Sequence, residues 1–130
     1  MIDEATLAAV QGNARLTIEE LGPLSEMALG FDEASVAWLE GFIERQRERD
    51  HDVEGLVSVL GCFLGEAIIA GAGGGVWDQG EHGLGVRFAN GDWCFPFAKM
   101  EKQFENGAEA GDGILSFYRV AVEQVAKGGL

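Results

Sequence analysis

The sequence predicts an α+β fold: N-terminal helices, a buried central helix, a three-stranded antiparallel meander and C-terminal helices, in one domain of 130 residues. Three observations carry that expectation. Apolar residues recur at helical spacing up to residue 70 and again after residue 96. Between these stretches, beyond the glycine run 71–75, the period falls to two. Within that part Asn90-Gly91 is the preferred pair for a tight hairpin turn.

Asp3 opens a first helix that Gly12-Asn13 is expected to end. Residues 14–32 read ambiguously. Thr17 with Glu20 fits a capping box, Gly22-Pro23 limits any helix there to about a turn, and Ser25 suits another short helix before Gly30. Asp32 or Ser35 caps the next helix, whose apolar positions are Val36, Leu39, Phe42 and Ile43, with Trp38 beside them. Its last turns are expected to reach Asp52 through interleaved arginines and acids, the composition of a solvated helix end.

Residues 53–70 read as the most buried helix. Val53, Leu56, Val57, Leu60, Leu64, Ala67 and Ile68 share a face, and Val59, Phe63 and Ile69 widen it beyond an ordinary stripe. Gly61 and Gly65 each cost ~1 kcal/mol of helix propensity against Ala, which makes sense where another element approaches the backbone closely. Strands are expected at 75–79, 84–89 and 92–97. A two-residue turn at Asn90-Gly91 pairs Phe88 with Trp93, Val86 with Phe95 and Leu84 with Phe97, and the 80–83 connection sets Trp77 beside Val86. Trp77, Val86 and Phe95 then form a row against the central helix, leaving Val76, Arg87 and Cys94 on a mixed outer face. After Pro96, Met100 and Phe104 fit a helix closed by Asn106-Gly107, with Lys99 and Lys102 outward. Asp112 caps a last helix carrying Ile114, Phe117, Tyr118, Ala121, Val122 and Val125.

Charge narrows the functional classes. Twenty-two acids against nine bases give a net charge of −13, which repels nucleic-acid backbones and anionic membranes, so neither is expected as a partner. Residues 1–43 hold eight of the acids and only Arg15. No uninterrupted apolar run reaches the ~18 residues of a membrane span, and the first residues lack the Lys or Arg of a secretory signal. Cys62 and Cys94 sit in apolar contexts and are expected to be reduced thiols. A cytoplasmic address follows as the expectation.

Few residues suggest chemistry. The glycine run follows a helix and precedes a strand, the reverse of a phosphate-binding loop. His51 and His82 are isolated and no Cys-x-x-Cys occurs, so no metal and no cofactor are expected. A Cys94–His82 nucleophilic pair lacks an evident group to activate the thiol, other than Arg87 across the strand. Glu66 stands out, because it lies opposite the main apolar face of the central helix; if covered, it needs a partner. Arg87 is the expected partner, with His82 second. Glu66, Trp77, Arg87 and His82 are therefore the candidate binding residues.

The sequence resembles a family of small bacterial proteins without assigned function. The residues that carry the resemblance run from Ser35-Val36-Ala37-Trp38-Leu39-Glu40 and Ile43-Glu44-Arg45-Gln46-Arg47 through Leu60-Gly61-Cys62-Phe63-Leu64-Gly65-Glu66-Ala67-Ile68 and Gly74-Gly75-Val76-Trp77. They continue in Phe95-Pro96-Phe97, Lys102-Gln103-Phe104-Glu105-Asn106-Gly107 and Gly111-Asp112-Gly113-Ile114-Leu115-Ser116-Phe117-Tyr118. The resemblance implies a single α+β domain with a recognisable core at about 32–120, preceded by an acidic helical segment, 1–31. It implies no activity.

With no catalytic constellation beside a strong charge asymmetry, the leading expectation is an interaction module rather than an enzyme. Its concrete form is an immunity- or inhibitor-type protein whose acidic surface covers a basic partner, with the N-terminal third carrying the contact. The alternative is a small-ligand-binding protein or hydrolase-like enzyme with a cleft around Glu66, Trp77 and Arg87. A homodimer through the mixed face of the sheet is a third reading.

Overall fold

The structure, a computed structural model, describes residues 2–49 and 53–126. Asp3 caps the first helix, α1 (Glu4–Ser25), its carboxylate accepting the Thr6 amide at 2.7 Å. The expected break at Gly12-Asn13 does not occur, nor does a new start at Thr17: the helix runs on to Glu26, which ends it in the left-handed region at φ 57°. Val10, Ala14 and Thr17 explain the continuity. They recur on one face, are buried in the core and pack α1 along the central helix, and such packing outweighs a glycine's propensity cost of ~1 kcal/mol. Thr17 donates its hydroxyl back to the Asn13 carbonyl at 3.2 Å, a mid-helix bond, not a cap. Pro23 falls in the exposed last turn, where a lost backbone bond is left to water. The acidic first segment is thus part of the core and not an appendage to it.

Asp32 caps α2 (Glu33–Arg47), accepting the Ser35 amide at 2.8 Å, while the buried Ser35 hydroxyl accepts the Gly30 amide at 2.9 Å. The helix stops at Arg47, earlier than expected, and the anticipated turns from Asp50 through His51 to Asp52 lie outside the described residues.

The central helix, α3 (Glu54–Ala72), is flanked by α1 and by two C-terminal helices, with the sheet over one end. Leu60, Phe63, Leu64 and Ile68 are fully buried. Both central glycines are close approaches, as the sequence suggested: a Cβ on Gly61 would enter the Phe97 ring, and one on Gly65 the Trp77 ring. By length and hydropathy, 19 residues at a mean hydropathy of 1.9, α3 could cross a membrane, contrary to the expectation from uninterrupted apolar runs; in this fold it is the core helix. The glycines after it close a Schellman cap, with Gly73 at φ 74° and the Gly74 and Gly73 amides donating to the Ile69 and Ala70 carbonyls.

Three antiparallel strands come next, β1 (Val76–Gly80), β2 (Gly83–Arg87) and β3 (Trp93–Cys94), in the order β1-β2-β3. Trp77 pairs with Val86 as expected, but Val86 pairs with Cys94 and Arg87 with Trp93, one residue away from the expected register. The turn explains the slip. Gly91 donates to the Phe88 carbonyl at 2.9 Å and Phe88 to the Asp92 carbonyl at 2.8 Å, so the loop holds three residues, with Gly91 left-handed at φ 95°. One extra residue turns every following side chain over. Cys94 therefore joins Trp77 and Val86 on the inner face, and Phe95 moves outside to stack on Trp93 at 5.9 Å.

β3 is also short, because Pro96 begins α4 (Pro96–Asn106) in its first turn, where a missing N–H costs nothing. Phe97 is helical for the same reason, not opposite Leu84. A single 3₁₀ turn (Ala108–Ala110) leads to α5 (Ile114–Ala126). The result is the α+β order read from the sequence: helices, buried helix, meander, helices.

Candidate functional site

Glu66 and Trp77 meet. The Trp77 indole donates from Nε1 to Glu66 Oε2 at 2.9 Å, across the junction between α3 and β1. Their placement follows from the backbone. Gly65 lets the ring of Trp77 lie against α3, and Phe97 packs on that ring at 5.7 Å. With the ring fixed over Gly65, its N–H reaches the next helical residue, Glu66. The carboxylate is half-buried and opens into a surface cavity of about 250 Å³. Leu7 and Gln11 of α1, Ile69 of α3, and Gly75, Val76 and Trp77 form the remaining walls.

Arg87 is not part of this site. It lies on the outer face of the sheet, where its Nε donates to Asp78 Oδ2 at 2.9 Å. The expected Glu66–Arg87 pair is thus replaced by two separate pairs, Glu66–Trp77 inside and Asp78–Arg87 outside. Alternation explains the split, since residues 77 and 87 are of opposite face once Trp77 pairs with Val86. His82 sits exposed in the β1–β2 turn with its ring edge-on to Phe95 at 6.1 Å. Cys94 lies beneath the sheet, and its direct neighbours are Val86 and the core, not Arg87. Burial pushes the Cys94 thiol up to about 12 and raises Cys62 as well, so neither thiol is poised as a nucleophile. Among the described residues, no group of three or more His, Cys, Asp or Glu is placed to hold a metal.

A polar junction between α2, α4 and α5 was not anticipated. The side chain of Gln103, fully buried, donates to the Glu40 carbonyl at 3.0 Å and to Glu44 Oε2 at 2.9 Å, and accepts the Ile114 amide at 3.0 Å. Glu40 Oε1 accepts the Leu115 amide at 3.1 Å. The first amides of α5 are thus capped by side chains from two other helices, and Asp112 does not perform that role. It binds Lys99 and Asn106 instead, at 3.2 and 3.0 Å, which draws Lys99 inward. Arg47 donates to the carbonyls of Phe104 and Glu105 at the end of α4. These polar groups satisfy one another internally, which makes the junction a structural lock.

The exposed surface of α1 is different. Away from Val10, Ala14 and Thr17 it exposes Leu16, Glu19 and Glu20, and its last turn exposes Pro23 and Leu24, the latter on the Thr17 side of the helix, seven residues further on. Leu16 and Leu24 are two of the four large exposed hydrophobics among the described residues, at 39% and 67%. The breaks expected at Gly12 and Gly22 hid that these residues belong to one helix. Comparison of the chain with family models, with curated proteins and with solved structures gave no match.

Proposed function

We propose that this protein is an interaction module that binds a basic partner through the exposed surface of the C-terminal half of α1. One observation carries the reading: Leu16 and Leu24, both exposed in the last three turns of α1, have the exposed Glu19 and Glu20 between them. Single exposed leucines are ordinary, but two in the same three turns with carboxylates between them have the make-up of a contact patch, apolar anchors within a charged surround. The same helix is anchored to α3 by Val10 and Ala14, so the patch is presented on a rigid element. Glu26, exposed at the end of α1, adds a further acid. A cytoplasmic protein of immunity or inhibitor type, covering a cationic effector, is the form that fits this chemistry.

The test is charge reversal. Immobilised wild-type protein should retain basic proteins at low ionic strength, and Glu19→Lys with Glu20→Lys should weaken that retention by about tenfold or more at unchanged circular dichroism. Both residues are exposed, so the fold tolerates the change. Retention that is equal in the double variant would overturn the reading.

A further inference from the structure

The Glu66 cavity is a second feature, independent of the exposed patch on α1. We propose that it binds a small primary alkylammonium ion, the ammonium on Glu66 and the alkyl chain along Leu7, Ile69 and Val76. Charge complementarity selects the ligand. Among the described residues Glu66 is the only charged one lining the cavity, and no basic side chain faces it from any wall. One carboxylate oxygen is held by the Trp77 indole, which fixes the group in place. The other accepts no hydrogen bond from the described residues, and it can take the N–H of an incoming ammonium in a charge-assisted bond. Gln11, on the α1 wall, offers a side-chain carbonyl for a second N–H.

Size selects further. At about 250 Å³ the cavity is smaller than the roughly 300–1,000 Å³ of drug-sized sites, so it suits a short chain. An anionic ligand would meet the Glu66 charge, and a neutral alcohol would leave the carboxylate without a cation.

The probe is n-hexylamine, which is fully protonated near neutral pH. The Trp77 indole N–H resonance reports directly on the Glu66 carboxylate. Titration should move it saturably, with affinity at least about tenfold above that for n-hexanol and with no saturable shift for hexanoate. Glu66→Gln preserves an acceptor for the indole N–H and should abolish saturation by the amine. The comparison of amine with alcohol on the wild-type protein stands even if the variant does not fold. No saturable shift with the amine, equal affinity for hexanol, or full amine affinity in Glu66→Gln would each overturn the proposal.

Discussion

Gly65 shows what single residues do in this fold. Its missing side chain is the space that the Trp77 ring occupies, and that ring is also held by Phe97 and by the hydrogen bond to Glu66. Gly65→Ala is therefore expected to destabilise the protein by about 1–3 kcal/mol despite the better helix propensity of Ala, because the indole has nowhere to move. Gly12 is the control. It lies inside α1 with open space for 4 Å around the position a methyl group would take, so Gly12→Ala should stabilise by about 0.5–1 kcal/mol. Urea unfolding of the two variants measures both, and equal signs would contradict the close-approach account. The two central glycines were readable as contact points from sequence, since a helix otherwise so apolar has no other use for them. Their partners were not readable, because which aromatic ring lies over which glycine depends on the sheet's register and on where α4 begins.

At the scale of elements, the way each helix end is satisfied decides what a local pattern can reveal. α1 and α2 are capped locally by Asp3 and Asp32, residues three positions ahead of the amides they receive, and both were legible for that reason. The start of α5 is capped by Gln103 and Glu40, from other helices, which no local pattern announces. Asp112 fits the local pattern and does something else: hydrogen bonds from Asn106 and then from Lys99 hold its carboxyl below the ordinary aspartate value of 3.8. A carboxyl lowered on folding stabilises the native state above 3.8, and that contribution is lost as the pH falls through the lowered value. Asp112→Asn is thus expected to lower stability at neutral pH and to lose its difference from wild type under strongly acidic conditions. Thermal melts of both proteins across the acid range check this, and a pH-independent difference would contradict the assigned role. The hairpin shows the opposite limit of legibility. Asn90-Gly91 marked the turn correctly, but a dipeptide does not distinguish a two-residue loop from a three-residue one ending in a left-handed glycine. That single residue decides whether Cys94 or Phe95 faces the core.

For the whole molecule, the excess of acids in residues 1–43 acquires a support. The first helix is one continuous element packed against α3, and its last three turns expose Leu16, Glu19, Glu20 and Leu24 together. Removing the segment would take Val10, Ala14 and Thr17 out of the core, and truncation cannot separate binding from folding here. Surface substitutions can. Leu24 on α1 and Val120 on α5 are both more than half exposed, at 67% and 54%, and lie on different elements, so each changes one face only. Titration calorimetry of the retained basic partner with Leu24→Asp and with Val120→Asp tests the central claim most directly. Leu24→Asp is expected to weaken binding by about tenfold or more, with Val120→Asp within about twofold of wild type. Unchanged affinity in Leu24→Asp, or a loss of equal size in Val120→Asp, would contradict it.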